Sequence, residues 1–229
     1  MKSPLYGLLV LTVLGAAPRV PAQVAADGDG YRIKLKYVAG QKMRYSATTD
    51  VVVSGGPAEM PPPPPKMEMT VEQEVIKVED GIATVKVTMT GAPEGTPPEQ
   101  TFQIDEHGKT TGGESSPMAG FSSGFPDRAL KNGEEWSAES DVPGAENGEK
   151  AKTDYKFVGL VQVEGKTLAQ IDFKSVVAGE VQAESGGTVY LDPADGQTVS
   201  MKTVTKMTMN IPGLDTPMTI EITMEMKRL

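Results

Sequence analysis

A strict alternation of apolar and polar residues near the end of the chain is the feature that most constrains the fold. The apolar positions are Met218, Ile220, Ile222, Met224 and Met226, and every position between them is Thr or Glu. Successive side chains of a β-strand point to opposite faces, so this period of two predicts a strand with one apolar and one polar face.

The same period recurs along most of the chain, and no segment has the pattern of an amphipathic helix longer than about two turns. The sequence therefore predicts an all-β fold. We expect a strongly curved antiparallel meander sheet of about ten strands, in the form of an open barrel or a sandwich.

The segment 186–201 predicts a hairpin within that sheet. Pro193 presets φ for the first turn position, Asp192 can accept a hydrogen bond from the backbone ahead of it, and Gly196 tolerates positive φ. Glu79-Asp80-Gly81 and Glu164-Gly165 predict two more hairpin turns. The apolar parity changes near Ile76, which predicts a β-bulge.

Residues 1–22 have the pattern of a secretory signal peptide. Lys2 precedes an apolar run from Leu5 to Gly15, and small residues lead to a predicted cleavage near Ala22. The run is shorter than the ~20 residues of a membrane span. We expect the mature protein to be extracytoplasmic, either periplasmic or secreted, and to span no membrane.

Cysteine is absent from the chain. Disulfides, thiolate metal sites and lipid attachment through cysteine are therefore excluded, and export without a lipid anchor is the simplest interpretation.

The remaining residues predict one domain preceded by a short leader. Residues 23–30 contain an Asp-Gly-Asp-Gly run and are expected to be a flexible leader, and 31–229 are expected to form a single all-β domain that begins with a strand over Tyr31–Tyr37. Irregular loops are predicted at 55–66 and 110–135. The first contains five consecutive prolines, Pro61 to Pro65, which favour an extended spacer over a partner-docking motif.

The composition is acidic, with a formal net charge of −9. An acidic surface repels nucleic acid and anionic lipid, so we expect neither as a partner. Solubility alone explains such a charge.

Four stretches together resemble an uncharacterised family of exported bacterial envelope proteins and lipoproteins, a domain of unknown function. They are Leu35–Lys42, Phe102–Lys109, Phe125–Trp136 and Val189–Gly196, and the resemblance extends over most of the mature chain. It implies a strongly curved antiparallel sheet and an envelope location. It implies no activity and no functional residues. Many family members are lipoproteins, whereas this chain lacks the required cysteine.

The motifs that could carry catalysis are incomplete. Gly120–Gly124 fits the G-x-S-x-G pattern with Ser122 as nucleophile, but the segment lacks a strand and helix around it, and the single histidine, His107, lies upstream. The acidic pairs Asp105-Glu106 and Glu134-Glu135 are typical of turns, and neighbouring residues of a strand face opposite ways. We expect no enzymatic activity, no metal site and no cofactor.

The methionines give the best candidate site. Three pairs have M-x-M spacing, which places both thioethers on one strand face: Met67 with Met69, Met207 with Met209, and Met224 with Met226. Converging thioethers select Cu(I), but methionine also fills cores, and the apolar parity favours packing. The third possibility is an apolar ligand held on the face formed by Met207, Met209, Ile220, Ile222, Met224 and Met226.

The function expected from the sequence is therefore a non-enzymatic envelope module that binds an apolar small molecule or an envelope protein. The alternatives are a carrier of a lipid or acyl chain and, from another class, a hydrolase that uses Ser122 or carboxylates. A wide apolar cavity would favour carriage, whereas a filled core would favour interaction. A polar cleft that joins Ser122 to His107 would favour the enzyme.

Overall fold

A computed structural model describes residues 23–55, 65–92, 96–111, 124–141, 150–177, 182–209 and 217–229. The predicted signal peptide, most of the proline run and Ser122 lie outside the described residues. The described residues contain no helix and form thirteen β-strands. Among them there is accordingly no apolar helix of membrane-spanning length.

The strands in chain order are β1 (Val24–Asp27), β2 (Gly30–Ile33), β3 (Lys42–Ser54), β4 (Met67–Glu79), β5 (Ile82–Thr90), β6 (Glu99–Asp105), β7 (Thr110–Thr111), β8 (Glu134–Asp141), β9 (Lys150–Val163), β10 (Lys166–Val177), β11 (Gln182–Leu191), β12 (Thr198–Met209) and β13 (Met218–Arg228).

Eleven of these strands form one antiparallel sheet, counting the two-residue β7, and β1 and β2 form a separate hairpin. The order across the large sheet is β7-β6-β5-β4-β3-β13-β12-β11-β10-β9-β8. Consecutive strands are therefore paired from β3 to β7 and again from β8 to β13, and the last strand, β13, also pairs with β3 and so connects these two halves of the sheet. The edges β7 and β8 are not paired with each other, so the sheet is not closed into a barrel.

The sheet encloses its own core. Apolar side chains from one face of β3, β4, β5, β9, β10, β11, β12 and β13 belong to a single buried cluster, together with Val24 and Ile33 of the hairpin. A flat sheet of this width could bury one face only under a second layer, so the common core reflects strong curvature. The predicted all-β curved meander is confirmed.

The predicted turns are confirmed as well. In the β11-β12 turn, the Ala194 amide donates to Oδ1 of Asp192 over 2.9 Å, and Gly196 has a φ of 70°. Asp80 and Gly81 both have positive φ between β4 and β5. The register shifts between Val75 and Lys77, where the sequence predicts a bulge.

The N-terminal segment differs from the expectation. The predicted leader 23–30 contains β1 and the start of β2, with Val24 opposite Ile33 in the ladder and both side chains buried. The predicted strand over 31–37 ends at Ile33, because the following residues bond to loops and not to a neighbouring strand.

Residues 23–41, here called the N-terminal strap, bind to four distant parts of the chain through the backbone. The amides of residues 31, 35, 36 and 40 donate over 2.7–2.9 Å to the carbonyls of Leu130, Glu106, Asp195 and Val75, respectively. These acceptors belong to the segment before β8, the turns β6-β7 and β11-β12, and the bulge of β4. The strap therefore connects one half of the sheet, β3 to β7, with the other half, β8 to β13. It does so at the end of the sheet where β3 begins and β13 ends.

The predicted irregular loop 110–135 is shorter in the structure. Thr110 and Thr111 pair with β6, and β8 begins at Glu134. Between these strands, Leu130 is buried and forms an isolated bridge with Tyr31. Residues 112–123 lie outside the described ranges.

Glycine replacements test the contact between the strap and the β11-β12 turn. Gly165 and Gly196 both have positive φ, but a Cβ at 165 meets open space, whereas one at 196 collides with the carbonyl oxygen of Lys34. We expect Gly165→Ala to cost about 1 kcal/mol of unfolding free energy from backbone strain alone. Gly196→Ala must also displace the strap and should cost roughly 2–4 kcal/mol.

Urea denaturation of the two variants measures the difference. Equal losses at the two positions would show that the strap does not hold the turn.

Candidate functional site

Burial along the inner face of the sheet changes from one end to the other. On β3, Met43, Tyr45 and Ala47 are buried, but Thr49, Val51 and Val53 on the same face are half-exposed. On β13, Met226 is 4% exposed, and the residues beyond it on that face are again half-exposed until Met218. The inner face is thus a filled core at the strap end and a partly uncovered surface at the opposite end.

The uncovered part is apolar and continuous. We call it the aliphatic patch; its members are Val51, Val53, Met207, Met209, Ile220, Ile222 and Met224, all half-buried. The register places them side by side. Ile220 lies between Val53 and Met207, and Ile222 lies next to Val51.

The structure thus brings together five of the six residues that the sequence predicts as an apolar binding face. The sixth, Met226, lies deeper on the same face and belongs to the core. The sequence reasoning missed Val51 and Val53, although their parity matches that of buried Tyr45. Only the pairing of β13 with β3 reveals that they adjoin Ile220 and Ile222.

A row of hydroxyl groups continues the patch across the neighbouring strands. Ile222 is opposite Thr205, and Thr205, Ser185, Ser175 and Thr153 follow one another from β12 to β9. Thr153 donates to Ser175 over 2.9 Å, and the hydroxyls of Ser185 and Thr205 share a hydrogen bond of 2.7 Å. The row is polar and uncharged, and its members bond to one another.

The outer face of the same strands has the opposite character. Charged side chains face each other across the ladders, as in Lys202–Glu225 at 2.7 Å and Arg44–Glu72 at 3.4 Å. Such exposed pairs contribute little to stability but keep the outer face hydrated. The two faces of β13 therefore differ in chemistry. The outer face carries ion pairs, and the inner face carries aliphatic side chains.

A small cavity of about 70 Å³ lies in the core near the strap. Its lining includes Tyr37, Tyr45, Gln73, Phe102 and Gln197. Ligand pockets for small molecules usually measure ~300–1,000 Å³, so this cavity is too small for a lipid chain. Burial raises the pKa of the Tyr37 hydroxyl above its usual range and raises that of Tyr45 to about 12.

The candidate catalytic groups have structural partners. Asp105 accepts hydrogen bonds from the amides of His107 and Lys109 and shapes the β6-β7 turn. Glu134 accepts the Lys131 amide at 2.7 Å and pairs with Arg128. The hydrogen bond from the Lys131 backbone, followed by that from Arg128, holds the pKa of Glu134 below its usual range.

Trp136 and His107, the two other residues that the sequence singles out, are not brought together in the structure. Trp136 is half-buried and stacks on Tyr155 with ring centroids 5.1 Å apart, which agrees with a packing role. Its Nε1 and the Nδ1 of His107 have no hydrogen-bond partner, but they lie on different elements. Within the described residues, no group of three or more His, Asp or Glu side chains is arranged to hold a metal ion.

The sequence matches no protein-family model. A comparison with curated proteins also finds no match.

The buried tyrosines make stability depend on alkaline pH. The pKa of Tyr45 is about 12 in the folded protein and ~10 in the unfolded chain, so the folded state holds the proton more tightly. This contribution is complete below about pH 10 and is lost as the pH rises towards 12. Because Tyr45→Phe cannot ionise there, we expect the wild-type free energy of unfolding to fall by on the order of 1–3 kcal/mol relative to this variant between pH 9 and 12.

Urea unfolding at several pH values measures the effect. Tyr190→Phe removes a phenol from a half-buried ring and serves as the control. Parallel curves for the wild type and Tyr45→Phe would contradict the prediction.

Proposed function

We propose that the protein is an exported, non-enzymatic binding protein whose recognition surface is the aliphatic patch. The observation that carries the proposal is the burial gradient. One face of β3, β12 and β13 is core at the strap end and half-exposed, apolar surface at the other. Contiguous exposed apolar surface is rare on monomeric proteins unless it contacts a ligand or partner.

The patch also supports one of the two kinds of apolar site that the sequence leaves open. The first kind is an enclosed cavity that carries a ligand. The cavity near Tyr37 and Tyr45 does not support it, because about 70 Å³ is too small for a lipid chain. The uncovered inner face supports binding on an open, curved surface, with its ligand partly in contact with solvent.

The chemistry of the described residues favours binding over catalysis. Among the candidate catalytic carboxylates, Asp105 and Glu134 are engaged by backbone amides, and Glu134 also by Arg128. Activation of a nucleophile needs a base within hydrogen-bond reach. Asp105 and Glu134 are used to shape turns, and Glu106 and Glu135 form ion pairs with Lys34 and Lys156. Export and the envelope location rest on the signal-peptide pattern and on the family resemblance.

Valine replacements on one strand test the recognition surface. Val51 and Val53 belong to the patch, whereas Val52, between them, points to the outer face and is 56% exposed. We expect Val51→Gln and Val53→Gln each to weaken binding of the uncharged dye Nile red by roughly tenfold, because a buried amide without a partner costs ~1–3 kcal/mol. Val52→Gln should bind as the wild type does.

Fluorescence titration gives the affinities, and thermal unfolding confirms that each variant is folded. Native mass spectrometry of the protein purified from its own envelope should show a bound molecule that Val51→Gln loses. Equal dye binding by the Val51, Val52 and Val53 variants would refute the patch as the recognition surface.

A further inference from the structure

Resting on the proposed function, we infer that the occupant of the aliphatic patch is the acyl chain of a lipid whose headgroup has no net negative charge. The competing occupants of an apolar strand face are an extended peptide, a second copy of the chain, and an anionic amphiphile. Hydrogen-bonding needs and charge distinguish the lipid from the peptide and from the anionic amphiphile, and the experiment below distinguishes it from a second copy.

The backbone of β13, the central strand of the patch, is already used on both sides, whereas β3 pairs with β4 only as far as Thr49. β13 pairs with β12 along Ser200–Met209 and with β3 along Tyr45–Ser54, so its amides and carbonyls are engaged on both sides. A peptide strand laid over the side chains of β13 would find no free backbone groups and would bury unpaired amides of its own. A peptide that pairs with β3 beyond Thr49 is the remaining peptide mode, and the test below includes it. An acyl chain has no such groups and loses nothing by lying there.

The hydroxyl row beside the patch supports the same occupant. Thr153 with Ser175, and Ser185 with Thr205, form pairs within the protein. A hydroxyl pair uses only one of its two O–H donors on its own bond, so the row tolerates apolar neighbours and can still donate to a carbonyl oxygen. The ester or amide carbonyl of a lipid is an acceptor of that kind.

The charge of the protein selects the headgroup. The aliphatic patch and the hydroxyl row contain no charged side chain, so no cation on this face is placed to pair with an anion. The chain as a whole has a formal net charge of −9, which repels anionic amphiphiles. A zwitterionic or uncharged headgroup avoids both penalties.

The shape of the patch suits a flexible rod. Along the strands, the patch extends ~20 Å from Met209, which is opposite Met218, to Met224. Its valine, isoleucine and methionine side chains come from three strands, and threonines flank Met224 on both sides. Three of the patch side chains are methionines, which adapt to chains of varying shape because they are unbranched and polarizable. The surface is long in one direction, as a single hydrocarbon chain requires.

A chain-length series tests the inference on the intact protein. Lysophosphatidylcholines of increasing acyl length are titrated by isothermal calorimetry, each below its critical micelle concentration. We expect the affinity to rise roughly two- to fourfold per methylene until the chain spans the patch, and then to level off. A fatty acid of equal length, ionised at neutral pH, should bind more weakly.

Variants locate the chain. Ile222→Gln should flatten the series, whereas Thr223→Gln, on the outer face of the same strand, should leave it unchanged. Thermal unfolding of the Ile222→Gln and Thr223→Gln variants confirms that both are folded, so loss of folding is excluded as the cause.

Affinity that does not change with chain length overturns the acyl-chain assignment. Equal or tighter binding of the fatty acid overturns the headgroup assignment. Tight binding of an extended apolar peptide, or dimerisation in sedimentation experiments that Ile222→Gln abolishes, assigns the patch to a protein instead. In each of these cases Nile red binding that depends on Val51 and Val53 would still stand, so failure of the inference is distinct from failure of the proposed function.

Discussion

The rest of the structure depends on the backbone hydrogen bonds of the N-terminal strap. The two halves of the sheet are joined by the ladder between β3 and β13, but no ladder joins the edges β7 and β8, and curvature alone does not fix the separation of the halves. The strap supplies a second connection, because residues 31–40 bond in turn to Leu130, Glu106, Asp195 and Val75. Ile33, 1% exposed, adds apolar contact beneath these bonds. The ion pairs of Arg32 and Lys34 are partly exposed and contribute less.

The regular part of the fold is readable from local sequence. Alternation sets which side chains of β13 face inward, and turn residues such as Asp192 and Gly196 set where the chain reverses. These are properties of neighbouring residues, so the sequence predicts the strands, the bulge after Val75 and the antiparallel order of consecutive strands. The strap is different. Tyr31 to Tyr37 alternates like a ladder strand, yet its partners are turns 70 to 160 positions away, and no local pattern encodes them.

The candidate site, too, is predictable in part from local sequence and in part only from the tertiary structure. Parity places Met207, Ile220 and Ile222 on one apolar face, which the structure retains. Parity does not tell how far along a strand the core extends, so it treats Met226 and Met224 alike, although one is core and the other half-exposed. It also does not reveal that β13 inserts beside β3, which is what brings Val51 and Val53 to the patch. Burial and long-range pairing are tertiary properties.

The position of the strap also explains why the patch is uncovered. Every carbonyl to which residues 31–40 of the strap donate lies at or near the end where β3 begins, and the apolar side chains of that end are buried with Val24, Ile33 and Leu130. The inner face of β3, β12 and β13 continues beyond the reach of these side chains with no change in its apolar parity. No described segment packs on this part of the face, so each of its half-exposed apolar side chains contributes less hydrophobic stabilisation than a buried one would. A ligand that covers Ile222 and its neighbours restores that stabilisation, so binding should raise the stability of the very strands that the strap does not hold.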